Sequence, residues 1–452
     1  MRIINKDKLG KGLPAGRQEY KKADFKDANS LRKFVLAVRK AVADAKKDKM
    51  KKVAVILKEI HKFGIGEREL GEIIAREVLI ADYEFTKYLS KPKEGWSFIS
   101  GFALIGKVSK EFKVGIERGK IIAGEVNMTR ELANTPGGEM VPKTLALAAR
   151  EAVKDLPNTK ITVLGKKELE KLGMGAVLGV AKGSPEEPQF IVVEYRPLAP
   201  SYDKRGNKGG DIVLVGKGVT FDTGGLNLKP TDGINDMHLD MSGGAAVIHA
   251  VALAAKLGVK KNIVALVPAV ENMPGGYSYR PGDILKSLSG KTIEIKNTDA
   301  EGRVILADAL TYAKKFNPRL VIDVATLTGA ACVALGERAS AIFTRDQELE
   351  KLTRELGEKS GDYVWPMPMW EEYESEVKGT FGDVANLGKK GRMGGAISGA
   401  MFLLQFTKDY PKSTKWMHID MAPTMTATDD EFLAKGAKGS PVKLLLALIE
   451  SY

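Results

Sequence analysis

The sequence predicts an α/β protein of two domains: a small N-terminal α/β domain, then a larger C-terminal α/β domain with a mostly parallel central sheet. Three observations predict it. Short apolar runs rich in Val and Ile alternate with stretches of helical periodicity, the pattern of strands covered by helices. The 452 residues exceed what a single core usually organises. The charge is also unevenly divided. The net charge is +13, yet residues 1–52 hold 17 Lys and Arg against 6 Asp and Glu, and the remaining 400 residues hold 53 against 51.

The elements follow in order. Residues 1–30 are polar and weakly periodic. Leu31, Phe34, Val35, Val38 and Val42 recur at spacings of three and four, which predicts an amphipathic helix. Its other face carries Arg32, Lys33, Arg39, Lys40, Lys46 and Lys47. VAVIL (53–57) reads as a buried strand, 66–90 as helical and FISGFALIG (98–106) as another strand. These form the small domain, residues 1–115. A helix over 116–133, stopped by NTPGG (134–138), makes 116–135 a linker. The larger domain, 136–452, opens with helix 143–154, strand ITVL (161–164), helix 166–173 and strand FIVVEY (190–195). A polar loop, SYDKRGNKGG (201–210), leads into strand DIVLVG (211–216). Helix 243–257, strand NIVALVPAV (262–270), helix 303–316 and strand LVIDVAT (320–326) continue the alternation.

Composition excludes several classes. With 44% hydrophobic and 28% charged residues the chain is neither disordered nor fibrous. No run reaches the roughly 18 uncharged apolar residues of a membrane span, and MRIINKDKLGKG lacks an apolar signal core, so a cytoplasmic location is expected. One cysteine, Cys332, excludes a disulfide framework and a Cys-rich zinc site. The histidines are His61, His238, His249 and His418, with no HExxH among them. Any metal must be held mainly by carboxylates. His238 and His249 read as structural, and Cys332, in an apolar run, as a buried thiol.

Sites in open α/β sheets form where strands end. Three strand ends here are rich in Gly, Asp and Lys. VGKGVTFDTGGLNLKP (215–230) holds Lys217, Asp222 and Lys229; HLDMSGGAA (238–246) holds Asp240; KNTDAEGR (296–303) holds Asp299, Glu301 and Arg303. The glycines at 216, 218, 224, 225, 243, 244 and 302 let backbone approach a ligand closely. A lone Asp in such a turn is usually only a turn residue or a helix cap. The joint pattern differs. Four buried carboxylates do not all stay ionised without cations. Oxygen ligands suit Mg²⁺ and Mn²⁺ and tolerate Zn²⁺, and four carboxylates suit two ions better than one. Arg303, a cation in a first helical turn, opposes the helix dipole and needs an anion or carboxylates nearby. Spacing alone reaches a two-metal hydrolase or phosphoryl-transfer enzyme, and gives no reason to name a lysine as ligand.

The same segments resemble the leucyl aminopeptidase (cytosol aminopeptidase) family. NTDAEGR followed by ILADAL is its specific signature. GMGAVLGVAKGS (173–184), ENMPGGYSYRPGDIL (271–285), ATLTGA (325–330), DVANLG (383–388) and HID…GAKGSPVKLL (418–445) match in the same order. The resemblance covers residues 116–452 strongly and the first 115 weakly. It implies a metal-dependent aminopeptidase that releases N-terminal, leucine-like residues from peptides through a two-metal-activated hydroxide. It also implies a homohexamer with the active site in the C-terminal domain. By motif, Asp222 and Glu301 touch both metals (Zn²⁺ or Mn²⁺), Lys217 and Asp240 complete one shell, and Asp299 completes the other. Two adjacent dications would disfavour an ammonium and so free Lys217 to coordinate. Lys229 resembles the lysine that polarises the scissile carbonyl, and Arg303 the arginine that holds a bicarbonate general base. Met237, Thr326 and Gly329 match positions lining the side-chain pocket. The family usually follows the third ligand with one residue and then GG or GA. Asp240-Met-Ser-Gly-Gly has one residue more, which implies a longer loop and a shifted pocket edge.

Two other readings compete. The basic N-terminal helix suits nucleic-acid binding, although Tyr20, Phe25 and Phe34 are the only aromatics there to interleave with it. A two-metal phosphoesterase fits the carboxylates but not the motifs.

Overall fold

The structure, a computed structural model, describes residues 2–5, 20–60, 63–198, 212–391 and 393–452. The loop read at 201–210, the start of the strand after it, His61 and most of the basic N-terminal segment lie outside the described residues. The chain forms two compact units. One comprises Met1–Asn127 with Ala427–Lys438, the other Met128–Thr426 with Gly439–Tyr452.

The smaller unit is a four-stranded parallel sheet. Strands β1 (Arg2–Asn5), β2 (Lys21–Lys22), β3 (Lys52–Ile56) and β4 (Gly101–Ile105) lie in the order β1-β4-β3-β2. Helices Leu31–Lys47 and Glu67–Asp82 cross between parallel neighbours, as such connections require. Ser30 starts the first helix by accepting the Lys33 N–H at 3.3 Å, and Lys46 and Lys47 suit its negative C-terminal end. Phe34, Val35, Val38 and Val42 are buried, as the spacing predicts. The opposite face is less cationic than the sequence suggests. Arg39 is buried and pairs with Glu77 at 2.7 Å, Lys46 pairs with Glu84 at 2.5 Å, and Lys40 with Asp44 at 2.7 Å. A buried arginine needs such a partner, and Glu77 of the neighbouring helix supplies it.

The larger unit is built on a nine-stranded sheet. In chain order its strands begin with β5 (Thr159–Leu164), β6 (Gln189–Tyr195), β7 (Ile212–Gly216), β8 (Gly218–Asp222) and β9 (Ile263–Asn272). Strands β10 (Ile284–Lys286) and β11 (Thr292–Glu294) belong to a separate small sheet. The large sheet resumes with β12 (Leu320–Ala325), β13 (Ser340–Phe343) and β14 (Val364–Pro366). Then β15 (Val384–Ala385) joins the small sheet and β16 (Lys415–Asp420) the large one. The large sheet runs β14-β13-β16-β12-β7-β9-β6-β5, with β8 paired to β9. Its centre (β16, β12, β7, β9) is parallel, whereas β5, β6 and β13 pair antiparallel. Central strands such as Ile212–Gly216 are wholly buried and so read as unbroken apolar runs.

Helix Ser242–Lys256 is apolar on every side and buried along nearly its whole length, as a core helix must be. The stretch Thr231–Lys256 is long and apolar enough to cross a bilayer by length and composition alone, but 89% of its most apolar window is buried inside the protein. Parallel β7, β12 and β16 end on one side, and the loops after them, with Asp222 at the end of β8, position the site.

Candidate metal centre

Lys217 occupies the single residue between β7 and β8. It is buried, and its Nζ lies 2.7 Å from Asp240 Oδ1, 2.8 Å from Glu301 Oε1 and 3.0 Å from the Thr326 carbonyl. Gly302 makes room for it, because a Cβ there would stand 2.5 Å from Lys217 Cε. Asp222 ends β8. Its Oδ1 accepts the Gly224 N–H (2.9 Å) and the Asn272 amide (2.8 Å), and its Oδ2 lies 2.8 Å from Lys229 Nζ. Gly224 turns the chain at φ +87, where a Cβ would also meet the Asn227 carbonyl at 2.5 Å. Lys229 reaches Asp299 Oδ1 at 2.5 Å. Asp240 sits in a short 3₁₀ turn, Met237–Met241, that runs straight into the helix at Ser242. The extra residue read there therefore forms no loop.

Asp222, Asp299 and Glu301 each offer an oxygen within 4.8 Å of the others. Four carboxylates thus face two ammonium groups, an excess of negative charge in a mostly buried place. The electrostatics reflect it. Burial, and then the Glu301 charge, push Asp222 up to about 6. Burial also raises Asp240 well above its ordinary value, and raises Asp299 as well. For Glu301 burial works the same way, but Lys217 and Lys229 outweigh it and hold the group below its ordinary value. For Lys217 burial favours the neutral amine, yet Asp240, Glu301 and Asp222 together hold the ammonium.

These residues fit a divalent cation. The donors are oxygens with one amine, Asp240 Oδ2 is buried with no hydrogen-bond partner, and the surplus charge is negative. Arg303, in the first turn of helix Glu301–Ala313, is buried; Nη1 donates to the Asn386 carbonyl at 2.9 Å and Nε has no partner. Burial lowers its pKa to about 10, so it stays charged at neutral pH.

A cavity of about 720 Å³ adjoins the carboxylates, lined among others by Asp299, Arg303, Leu327, Gly329, Met367 and Ile397. Gly329 therefore faces it. Met237 and Thr326 are not among its lining residues. Thr326 instead donates its hydroxyl to Asp240 Oδ1 at 2.7 Å. His418 stands apart from the carboxylates, 2.5 Å from Asp323 within the sheet, and Cys332 is half-buried with its thiol pushed up to about 11 by burial.

Sequence reading missed the residues that brace this site. Asn272 donates to Asp222 and to the Thr298 carbonyl (2.9 Å), and Tyr279 donates to the same carbonyl (2.7 Å). Asp420 accepts from Leu327 N (3.0 Å) and Thr328 Oγ1 (2.7 Å), fixing the loop after β12. Asn386 holds the loop before Glu301. The signal was a polar residue inside a motif without a role of its own, as in ENMPGG and DVANLG.

The family profile described as the catalytic domain of the cytosol aminopeptidase family matches residues 127–446. The chain belongs to the cytosol aminopeptidase family. It is accordingly a metal-dependent aminopeptidase, a metallo-exopeptidase among the hydrolases. A probable cytosol aminopeptidase of Burkholderia mallei (strain SAVP1) is 43% identical over 365 residues, which are 80% of this chain and 69% of that one. One from Burkholderia pseudomallei (strain 668) has the same figures. Among solved structures, the bottromycin maturation enzyme BotP in complex with Mn is similar at 29% identity and TM-score 0.81, covering 92% of this chain and 87% of that one. A mutant tomato leucine aminopeptidase reaches TM-score 0.82 at 31% identity, covering 93% and 79%. The family's catalytic domain thus spans the strand ends that carry every residue of the candidate centre.

Proposed function

We propose that this cytosol aminopeptidase holds two divalent cations, manganese or zinc, on Lys217, Asp222, Asp240, Asp299 and Glu301, and releases leucine-like residues from free peptide N-termini. What supports this is the convergence of four carboxylates on two lysines at the strand ends, with negative charge in excess. Glu301 and Asp222 each offer an oxygen within 4.8 Å of the other and each feel the charge of both lysines, which suits them to face both ions. Asp240 and Lys217 suit one ion, Asp299 the other. Bound there, the cations would supply electrophilic activation of the scissile carbonyl and a water acidified to near neutral pH.

The protein's own side chains do the rest. Lys217 must give up its proton to serve as a ligand, and the positive charge of the cations offsets the carboxylates that now hold that proton. Lys229, at the margin of the cluster, is placed to donate to the scissile carbonyl oxygen as negative charge develops on it. Arg303, with its free buried Nε, would hold a bicarbonate ion, in keeping with a centre that offers no histidine base. The substrate's first side chain would enter the cavity at Gly329, beside the loop of Leu327 and Thr328. Leu327, Ala330, Val333, Met367 and Ile397 make one wall apolar, which favours leucine over a charged residue. The proposed working form is a homohexamer in the cytoplasm.

The test is hydrolysis of leucine-p-nitroanilide by protein stripped with chelator and then reloaded with Mn²⁺ or Zn²⁺. Activity should vanish on stripping and return on loading, and N-acetylated substrate should be refused. No metal-restorable activity on any unblocked aminoacyl substrate would sink the reading.

A further inference from the structure

Asn386 follows the two-residue strand β15, which runs parallel to β11 in the small sheet. It is fully buried and every hydrogen-bonding group it owns is used. Its Oδ1 accepts the backbone N–H groups of Lys296 (2.7 Å) and Asn297 (3.3 Å). Its Nδ2 donates to the carbonyls of Asn297 (2.6 Å) and Ala300 (3.4 Å). Its backbone N–H donates to the Glu294 carbonyl at 3.0 Å, and its carbonyl accepts Arg303 Nη1 at 2.9 Å. The loop it grips is 296–300, which carries Asp299 and delivers Glu301 to the first turn of its helix. Asn297 passes the restraint on, since its Oδ1 accepts the Asp299 N–H at 2.8 Å.

We propose that Asn386 is a positioning residue for the aminopeptidase reaction: one side chain sets the loop bearing Asp299, while its main chain sets the guanidinium of Arg303. The chemistry selects the residue. Two N–H groups must be accepted and two carbonyls supplied with donors from one short planar group. Only a primary amide offers both, and asparagine is the shorter of the two that do. Aspartate would keep the acceptor half and turn a charge towards the Asn297 and Ala300 carbonyls. Serine would leave most of the four groups unpaired inside the protein. Asn386 makes no hydrogen bond to the carboxylates of the centre and does not line the cavity, so it acts through Asp299 and Arg303. The inference therefore rests on the roles proposed for those two residues.

The experiment compares full-length Asn386→Asp and Asn386→Ser with the parent and with Tyr410→Phe. Tyr410→Phe deletes a hydrogen bond to the Leu310 carbonyl, away from the carboxylates, and serves as a control for lost stability. Stripped proteins are titrated with Mn²⁺ by calorimetry, and the loaded proteins are assayed on leucine-p-nitroanilide. Outer partners of metal ligands usually change affinity or activity by about 10- to 100-fold. Both Asn386 variants should lose Mn²⁺ affinity and kcat on that scale with KM changed less than about threefold, whereas Tyr410→Phe should keep both. Folded variants that bind Mn²⁺ and turn over within about twofold of the parent would overturn the proposal. So would failure of both to fold, which would make Asn386 a folding residue. Asp299→Asn separates the two ideas. If it leaves Mn²⁺ affinity intact, the ligand reading itself falls, and the positioning proposal falls with it.

Discussion

Asp222 shows what the site costs the protein. It is buried, it faces Glu301, and its pKa stands at about 6 against an ordinary 3.8. For a carboxylate raised in this way the folded state prefers the proton. Stability is full below pH 3.8 and falls as the pH rises through 6. At pH 7.5 the stripped protein therefore carries a destabilising charge. Asparagine keeps the oxygen that meets Gly224 and Asn272 but removes the charge. Asp222→Asn should stabilise the stripped protein at pH 7.5 by roughly 1–2 kcal/mol, less at pH 5, while cutting Mn²⁺-dependent activity at least about 100-fold. Chemical denaturation at the two pH values, with activity assays alongside, checks both halves. Lost stability at pH 7.5 together with retained activity would refute the account. The charges of this centre were legible in the sequence because they cluster at strand ends among glycines. Arg39 reads with the basic face of its helix yet is buried, because spacing shows the angle of a residue on its own helix but not whether a neighbouring helix offers it a carboxylate.

Among the elements, β11 has a function its length hides. Its last residue, Glu294, is buried and accepts the N–H groups of Thr380 (2.7 Å) and Phe381 (3.2 Å), and it also pairs with Lys296. Chiefly through the Lys296 bond, its pKa is held down at about 2. A depressed carboxylate contributes stability that is present above its unfolded value of 4.5 and lost as the pH falls towards 2. Glu294→Gln should therefore cost roughly 1–2 kcal/mol at pH 7, with the gap to the parent narrowing below pH 4.5. Urea midpoints at pH 7 and pH 3.5 measure it, and a gap that stays constant would exclude the ionised form as its source. Such an element is hard to read in advance. Strands β10, β11 and β15 are two or three residues long, too short for a period of two to develop, and β15 joins β11 across a large sequence separation. The long apolar strands were legible for the opposite reason, although an apolar run carries no direction. The antiparallel pairing of β5, β6 and β13 came only with the structure.

At the scale of the whole molecule, the uneven charge and the buried centre bear on different units. The basic excess belongs to residues 1–52 and hence to the smaller unit, while the centre lies wholly in the larger one. Each unit has its own apolar core, around Phe34, Ile74 and Phe102 in one and Phe190, Val215 and Phe402 in the other. A cation that binds only the folded centre stabilises the unit that forms it, by about 2.7 kcal/mol per site at one hundred times its dissociation constant. It also relieves the carboxylate surplus that the fold otherwise carries. Calorimetric scans of stripped protein should accordingly show the transition of the larger unit rising by several degrees as Mn²⁺ is added, and falling back with chelator. The rise should shrink in Asp222→Asn, whose stripped form starts higher but binds less metal. Tryptophan fluorescence gives a second readout, because Trp365, Trp370 and Trp416 report on the larger unit and Trp96 on the smaller. If Mn²⁺ at saturating concentration leaves every transition unmoved, the carboxylates are balanced by the lysines alone. The centre would then be an ion-pair network and not a cation site.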